Sequence, residues 1–495
     1  MSLQKPTLTF AQIINMNVGF FGIQYSFGLQ QSAVNPIYDF LGASPDEIPL
    51  LNLAGPVTGL LVQPIIGALS DKTWHPRLGR RKPYFFIGAL LCSIALFFYP
   101  FSSALWMAVG LLWILDVGNN TAMEPYRAFI ADKLNDEQRA TGFQTQSFFT
   151  GLGQTLANIS LFVFPLVIIG KTGAIPNWVF ASFFLGAVCS IGTIWWSMRT
   201  TPEIPPTESE VMEIHRKNKG QPPLVFQFFI SIATSVVAYA FLLLMALPTL
   251  FYRPLLSRAL AWAKSNAVVR VLFAQNIEIV EAILEMPRVM WQLALVYLFQ
   301  WYALFCYWQN SSKSIALSVW KTTPSEDPTA YEQAVSWTGL VNGWYNVVTF
   351  LAAFALVGFV KKSNPKVVHF TCLMCAAVGL MLFPFVENKY LLFPAITGFG
   401  VGWASMMGIP YLLVVEHIPK ERYGVYMGII NMMIVIPMIL QTLTFGWVLK
   451  NVLFNNSSYA VLLAGILLLV AALATLLIKS EGTSEGVHLT ASGSH

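Results

Sequence analysis

Residues 105–130 are LWMAVGLLWILDVGNNTAMEPYRAFI, and this stretch decides the class of fold. Asp116 lies near the centre of the apolar run, and Asn120, Glu124 and Arg127 follow it at intervals of three or four residues. A charged side chain at the middle of a membrane helix costs about 2.5–3.5 kcal/mol even on insertion-based scales, so such residues are rare and usually functional. The spacing places all four side chains on one helix face. The stretch therefore predicts a membrane helix whose polar face needs water, substrate or other polar helices opposite it.

The composition is that of an integral membrane protein. Of the 495 residues, 56% are hydrophobic and only 11% are charged, whereas soluble domains carry about 25% charged residues. The five cysteines lie inside apolar runs, and an odd number there argues against a disulfide framework. The net charge of +5 comes mainly from basic loops, so no nucleic-acid partner is expected.

Twelve apolar runs are long enough to cross a bilayer, which requires about 20 residues each. They lie roughly at 9–31, 48–70, 84–101, 105–130, 143–169, 177–198, 291–314, 335–360, 367–386, 390–415, 424–449 and 459–478. Basic residues crowd the loops between spans 2 and 3, 4 and 5, 6 and 7, 8 and 9, and 10 and 11. Cytoplasmic loops carry such an excess of Lys and Arg. The pattern predicts an all-α multi-pass protein of the inner or plasma membrane with both termini in the cytoplasm.

The runs divide the chain into two six-helix halves, residues 1–199 and 291–480, joined by a linker at 200–290 and followed by a disordered tail at 481–495. Within the linker, residues 224–250 are also apolar and long enough to span. Crossing there would place two later basic loops outside, against the charge rule. We therefore expect 224–250 to re-enter or lie along the cytoplasmic leaflet, followed by an amphipathic helix near 255–285.

The two halves share a faint repeat. IADKLNDEQRATG (130–142) and VEHIPKERYG (415–424) both follow the fourth helix of their half. Each has an acid, then a Glu and an Arg, and then a Gly before the next helix. Parallel six-helix halves with a substrate site between them are a known plan among secondary transporters.

Several motifs resemble the sucrose/proton symporter branch of the major facilitator superfamily. GIQYSFGLQQSAVNPIYDFLG (22–42) is similar to its first helix, and GPVTGLLVQPIIGALSDKTWHPRLGRRKPYFFIGA (55–89) to its second helix and the following loop. DVGNNTAMEPYRAFIADKL (116–134) resembles the fourth-helix pattern of that branch. MPRVMWQLALVYLFQWYALF (286–305) and IPYLLVVEHIPKERYGVYMGIINMMIVIPMILQ (409–441) resemble helix seven and helices ten and eleven of bacterial members.

The resemblance implies the major facilitator fold and a cation-coupled carrier of sucrose, maltose or a related glucoside. Asp116 matches the acid that carries the coupling proton in the family, and Arg127 matches its fourth-helix arginine. The sequence departs from the pattern at Glu124, where relatives have an uncharged residue, and in the apolar insert of its linker. From the residues alone, Asp116 has no basic residue within one turn, and burial without such a partner favours the neutral acid. A hydrogen-bonded packing acid is the alternative.

Sugar hydroxyls require hydrogen-bond donors and acceptors. The predicted substrate-binding residues are the amides and the arginine that the spans place inside the bundle: Gln30, Gln63, Asn119, Asn120, Arg127, Asn158, Asn342, Asn346 and Asn431. For any one amide, hydrogen bonding between helices is the alternative to contact with substrate. Arg127 is one turn from Glu124, so a local ion pair and a direct role in transport both stay open.

Charged residues near the helix ends are candidates for a gate. Asp71, Arg80, Arg81 and Glu124 are the predicted gating residues, because charges at helix ends can hold one access state and separate in the other. Charge that sets topology and contacts lipid headgroups is the alternative.

Together these features predict a secondary transporter that moves a disaccharide with a proton by alternating access. The partners expected are a sugar, protons and the lipid bilayer, with no cofactor and with a monomer as the working unit. Sodium coupling is an alternative, although Asp116 is the only carboxylate near mid-depth and sodium prefers several oxygen ligands. A transport-inactive sugar sensor is a second alternative. We do not expect an enzyme, because the sequence has no P-loop, HExxH or GxSxG motif.

Overall fold

The computed structural model describes residues 5–71, 73–218, 223–249, 253–266, 274–415 and 423–478, and these are almost entirely helical. Twelve long helices within the described residues form a bundle and are numbered α1 to α12. They are α1 Phe10–Phe40, α2 Ala54–Asp71, α3 Lys82–Phe98, α4 Leu105–Lys133, α5 Asp136–Val167, α6 Asn177–Thr200, α7 Arg288–Ile315, α8 Pro328–Lys362, α9 Pro365–Leu382, α10 Leu392–Val415, α11 Tyr423–Asn451 and α12 Ser457–Thr475. A short antiparallel pair, Lys171–Thr172 and Ile175–Pro176, connects α5 to α6.

Polar residues immediately before several bundle helices fix where those helices begin. Thr9 forms a capping box with Gln12 at the start of α1. Side chains of Asn135, Asp327, Asn364 and Asn456 accept backbone N–H groups at the starts of α5, α8, α9 and α12. The first N–H groups of a helix have no partner within it, so these caps stabilise helix ends that leave the apolar region.

The helices pack as two similar groups of six. In the first group α1 packs on α5 and α6, α3 packs on α4 and α6, and α2 packs on α4. The second group repeats each pairing six helices later, with α7 on α11 and α12, α9 on α10 and α12, and α8 on α10. The two halves meet where α5 packs on α8 and α2 packs on α11. This repetition confirms the predicted two-part bundle.

Ten stretches of the described helices are long and apolar enough to cross a membrane. Helices α1 and α4 fall outside that set, and both carry buried polar residues inside the bundle. Helix α1 also continues to Phe40, whereas the sequence predicted a span that ends near residue 31. The polar side chains of Asn35 and Asp39 lower the apolarity of its last turns but are buried against other helices. A prediction from hydropathy alone therefore ended the helix too early.

Glycines allow α3 and α4 to approach closely. A Cβ atom on Gly88 would lie 2.5 Å from the backbone oxygen of Gly118, and one on Gly118 would lie 2.8 Å from the backbone oxygen of Gly88. Small residues allow such backbone contact between membrane helices. Because Gly118 is two residues from Asp116, this contact also fixes the height of the polar face of α4 relative to α3.

The linker contains four helices within the described residues: Glu208–Asn218, Leu224–Thr249, Arg253–Ser265 and Ala274–Leu284. The apolar insert forms the continuous helix Leu224–Thr249, which packs beside α2. Two shorter helices occupy the region where the sequence predicted one amphipathic helix, and residues 267–273 between them lie outside the described residues. The membrane depth of this insert and the predicted halves at 1–199 and 291–480 stay predictions. The predicted tail at 481–495 lies outside the described residues.

Candidate functional site

Asp116 is buried at the junction of α1, α2 and α4. Its side chain is 1% exposed, and its Oδ1 accepts a hydrogen bond of 2.8 Å from Gln30 Nε2 on α1. Gly55 of α2 leaves room beside the carboxylate, because a Cβ there would lie 3.8 Å from Asp116 Oδ2. Among the described residues, Asp116 Oδ2 and Gln30 Oε1 are buried without a hydrogen-bond partner. The structure thus brings two predicted site residues, Gln30 and Asp116, into contact. The described hydrogen-bond partner of the buried acid is a neutral amide.

Asn120 lies one turn from Asp116 and joins α4 to α2. Its Nδ2 donates to the backbone oxygen of Asp116 at 2.9 Å and to Thr58 Oγ1 at 2.9 Å. Its Oδ1 accepts a hydrogen bond of 2.6 Å from Gln63 Nε2. Both ends of the Asn120 amide are therefore occupied, and a ligand at this position must displace one of these contacts or bind to Gln63.

The side chain of Asn119 contacts α1 and α3, whereas that of its neighbour Asn120 contacts α2. Its Nδ2 donates to Ser26 Oγ on α1 at 3.1 Å, and its Oδ1 accepts from Cys92 Sγ on α3 at 3.1 Å. The residue is fully buried. These contacts agree with the alternative in which an amide joins helices.

A chain of hydrogen bonds connects the two halves. Tyr307 on α7 donates to Asn342 Oδ1 at 2.9 Å, and Asn342 Nδ2 on α8 donates to Ser32 Oγ on α1 at 3.0 Å. Ser32 then donates to Asn158 Oδ1 on α5 at 2.6 Å. Asn346, one turn along α8, donates to the backbone oxygen of Asn342 at 2.9 Å. Three predicted site residues, Asn158, Asn342 and Asn346, thus meet across the two halves, whereas Asn431 on α11 is only partly buried and stands apart from this chain.

The polar face of α4 becomes more exposed toward Arg127. Asp116 and Asn120 are 1% and 4% exposed, whereas the side chains of Glu124 and Arg127 are 39% and 47% exposed. Arg127 Nη1 lies 3.8 Å from Glu124 Oε2. The polar face of α4 is therefore more accessible toward the end that carries Arg127 and Arg81, which we call the Arg81 end.

The opposite end carries ion pairs between the halves, and we call it the Lys313 end. Lys313 on α7 pairs with Asp39 on α1, Lys171 before α6 pairs with Glu332 on α8, and Lys450 on α11 pairs with Asp46 before α2. The sequence prediction missed all of these residues. Lys313 could have been singled out as a basic residue inside an apolar span. Asp39 could have been singled out as an acid about two helical turns beyond the end of the first predicted span.

A second pair of amides lies outside the predicted set of substrate-binding residues. Gln441 Nε2 on α11 donates to Gln309 Oε1 on α7 at 2.8 Å, and both side chains are buried. Among the described residues, Gln309 Nε2 and Gln441 Oε1 have no partner. One donor and one acceptor stay free whichever way the two amides are oriented. Such a pair matches a hydroxyl group, which both donates and accepts.

Two of the predicted gating residues, Arg80 and Arg81, contact residues of their own half or of the adjoining linker. Arg81 Nε pairs with Asp132 Oδ2 on α4 at 3.0 Å, and its Nη1 donates to Ser70 Oγ on α2 at 2.6 Å. The carboxylate of Glu203, which the sequence analysis did not single out, accepts from the backbone N–H groups of Arg80, Arg81 and Lys82 at the start of α3. The side chain of Asp71 lies outside the described part of the structure. The gating role of these residues stays a prediction.

Comparisons with known proteins agree with this fold. The sequence profile of the Major Facilitator Superfamily matches residues 16–442. The chain is 31% identical over 157 residues to the sucrose transport protein SUC3 of Arabidopsis thaliana, which covers 27% of this chain and 26% of that protein. It is 28% identical over 258 residues to the general alpha-glucoside permease of Schizosaccharomyces pombe, which covers 48% of this chain and 44% of that protein. The matched segments thus span less than half of the length of these relatives.

Solved structures show the same architecture. The nucleoside transporter NupG has a TM-score of 0.62 at 12% identity, covering 95% of this chain and 99% of that chain. The partially occluded inward-open xylose transporter XylE from E. coli has a TM-score of 0.60 at 13% identity, covering 97% and 99%. At these identities the likeness shows the fold alone. Together with the profile, it confirms the predicted fold class. The matches to a sucrose transport protein and an alpha-glucoside permease confirm the resemblance, and the superfamily profile supports a transporter, as predicted, and not an enzyme. The chain belongs to the major facilitator superfamily.

Proposed function

We propose that this protein is a secondary active transporter that moves a disaccharide, such as sucrose, maltose or a related glucoside, together with a proton by alternating access. Membership of the superfamily supports the transporter part of this proposal. The sugar part is supported by relatives named as sucrose transport proteins and an alpha-glucoside permease. The coupling part rests on Asp116.

The observation that carries the proposal is the buried carboxyl of Asp116 with a neutral amide as its described partner. An acid without a nearby cation is held more easily in its neutral form when it is buried. The free Oδ2 is positioned to carry a proton and then to donate to a ligand oxygen. An intramembrane acid of this kind is typical of proton-coupled carriers.

The free polar atoms support a place for the sugar. Gln30 Oε1 and Asp116 Oδ2 in the first half, and Gln309 Nε2 and Gln441 Oε1 in the second, are buried without partners among the described residues. Sugar hydroxyls satisfy such donors and acceptors. Gln63, Asn120, Asn158 and Asn342 hold hydrogen bonds between helices, and we propose that they exchange those contacts for sugar hydroxyls during the cycle.

The coupling follows from differential affinity. A ligand shifts an equilibrium only by the difference between its affinities for the two states. A protonated Asp116 donates a hydrogen bond to the sugar, whereas an ionised Asp116 only accepts. Sugar therefore binds the protonated protein better, and proton release on the other side releases the sugar.

We also propose an orientation. Basic residues are concentrated in the loops at the Arg81 end, and this excess is typical of cytoplasmic loops. The Arg81 end then faces the cytoplasm, and the Lys313 end faces the outside of a cell membrane. The structure described above is accordingly closed to the outside, and we propose that a monomer is the working unit.

The test is uptake of radiolabelled sucrose and maltose into proteoliposomes, with and without an inward proton gradient. We expect the unsubstituted protein to accumulate sugar with the gradient. Asp116→Asn should lose accumulation and keep exchange of internal for external sugar, because the neutral amide mimics the protonated acid. Glu387→Gln is the matched control, since it makes the same chemical change to an exposed carboxylate paired with Lys321.

The other outcomes select the alternatives. Accumulation by Asp116→Asn equal to that of the unsubstituted protein would remove the coupling proton from Asp116. Accumulation driven by a sodium gradient and not by a proton gradient would select sodium coupling. Sugar binding without movement in either assay would select the sugar sensor.

A further inference from the structure

Asp39, Lys313 and Tyr331 form a buried contact between the two halves. Lys313 Nζ lies 2.8 Å from Asp39 Oδ1, and the Tyr331 hydroxyl donates to Asp39 Oδ2 at 2.5 Å. The side chains of Lys313 and Asp39 are only 6% and 2% exposed. Both carboxylate oxygens of Asp39 are thus engaged by residues of the second half. A ring contact between Phe40 and Tyr331, with centroids 5.9 Å apart, lies beside them.

The contact joins helix ends that alternating access must separate. Asp39 is in the last turn of α1, Lys313 is near the end of α7, and Tyr331 is in the first turn of α8. All three lie at the Lys313 end, where the halves are closed against each other. When the halves rock to open this end, α1 must move away from α7 and α8, so the contact cannot persist in both states.

Burial distinguishes this pair from the other ion pairs at the same end. The side chains of Lys450 and Asp46 are 62% and 22% exposed, and those of Lys171 and Glu332 are 40% and 19% exposed. Exposed pairs contribute little because water and salt screen them. A buried pair behaves differently, because removal of one partner leaves the other charge without compensation in a dry site.

We propose that Asp39, Lys313 and Tyr331 are the gate that holds the Lys313 end closed. The charges are stable together only when the halves are in contact, and each becomes stable alone only when water enters between the halves. Loss of either charge therefore favours the open state of this end. This inference uses the alternating-access part of the proposed function and is independent of the identity of the substrate.

Thiol labelling of purified protein in detergent tests the gate without transport. Ser336 on α8 is the reporter position, because it is 6% exposed and donates to the backbone oxygen of Phe162 across the halves. Ser336→Cys is placed in a protein whose five native cysteines are replaced by alanine. The rate of its reaction with a hydrophilic maleimide then reports how often the Lys313 end opens.

We expect Asp39→Asn and Lys313→Gln each to raise the labelling rate at least about tenfold, because each leaves one buried partner unpaired. The exchanged pair, Asp39→Lys with Lys313→Asp, should return the rate to within about threefold of the parent, since opposite charges again face each other. Lys450→Gln is the matched control and should change the rate less than about twofold, because its pair is exposed.

Two results would overturn the gate. One is labelling of both single variants at the parent rate. The other is an exchanged pair that labels as fast as the faster single variant, which would show that the two residues do not act through each other. If the single variants do not yield folded protein, the exchanged pair decides alone. A labelling rate near that of the parent supports the gate, and a tenfold faster labelling rate refutes it.

Discussion

Ser32 of α1 accepts a hydrogen bond of 3.0 Å from Asn342 of α8 and donates one of 2.6 Å to Asn158 of α5. One small hydroxyl therefore joins both halves of the bundle. Interhelical hydrogen bonds in membrane proteins are worth about 0.6 kcal/mol each on average, so two of them make a modest but measurable contribution. The bonds lie between the predicted substrate residues, and their strength bears on how easily the halves separate.

Ser32→Ala should lower the stability of the detergent-solubilised protein by about 1 kcal/mol, because two hydrogen bonds are lost. The measurement is the thermal or denaturant unfolding midpoint. Ser182→Ala is the control, since Ser182 is fully buried on α6 and its hydroxyl has no partner among the described residues. Equal effects of the two substitutions would contradict a stabilising role for the Ser32 bonds.

Gln441→Leu should raise the KM for sugar uptake about tenfold and leave the maximal rate within a few-fold, if the free donor and acceptor of the Gln309–Gln441 pair meet a sugar hydroxyl. The double variant Gln309→Leu with Gln441→Leu separates this role from packing. A purely structural pair replaced by two apolar groups is close to neutral. A double variant with an unchanged KM would therefore assign the pair to packing, and Thr442→Val serves as the neighbouring control.

Glu203→Ala should destabilise the protein by about 0.5–2 kcal/mol, the range for loss of a helix cap. Its carboxylate accepts from the N–H groups of Arg80 at 2.8 Å, Arg81 at 3.0 Å and Lys82 at 2.9 Å, where the positive end of the α3 dipole favours a negative charge. Glu203→Gln keeps one acceptor oxygen, so its unfolding midpoint should lie between those of Glu203→Ala and the unsubstituted protein. A midpoint for Glu203→Ala equal to that of the unsubstituted protein would exclude the capping role.

Gly88→Ala should destabilise the protein by about 1–3 kcal/mol, the usual cost of overpacking. Its Cβ would lie 2.5 Å from the backbone oxygen of Gly118, and backbone atoms move only if the helices separate. Gly110→Ala on α4 is the matched control, because nothing lies within 4 Å of its Cβ among the described residues. Unfolding midpoints of the two variants give the comparison, and a neutral Gly88→Ala would show that α3 and α4 are farther apart than described.

The Asp46–Lys450 pair should stay formed at the mildly acidic pH that the proposed proton symport requires. Burial acts to raise the pKa of Asp46, but hydrogen bonds from Ser44, from its own backbone and from Lys450, with the charge of Lys450, outweigh burial and hold the pKa below its ordinary value. A carboxyl with a lowered folded pKa stabilises the fold above its unfolded pKa of about 3.9 and loses that contribution as pH falls through the folded value.

Asp46→Asn should therefore have the same small effect on the unfolding midpoint at pH 5 and pH 7, and the effect should disappear only in strong acid. Midpoints measured across this range test the prediction. An effect that halves between pH 7 and pH 5 would show that the pair titrates within the working range of the transporter.

Much of the fold was predictable because the bilayer restricts the possible solutions. An apolar run of about 20 residues predicts a helix, since backbone groups in lipid must all be hydrogen-bonded and a helix achieves this within one segment. The polar face of α4 was also predictable. Once the segment is helical, its periodicity alone places four side chains on one face: Asp116, Asn120, Glu124 and Arg127. The resemblance of these residues to one transporter branch then predicted a coupling role for Asp116.

The partners of these residues depended on tertiary packing. Asp39 and Tyr331 are 292 residues apart in sequence, and neither hydropathy nor spacing relates them. The same holds for Glu203 with the start of α3, and for Gln309 with Gln441. The sequence by itself determined which segments form helices and which faces are polar, because those properties are local. Only the tertiary structure decided which polar groups meet and which stay free, because that depends on the rotation and height of each helix against neighbours distant in the chain.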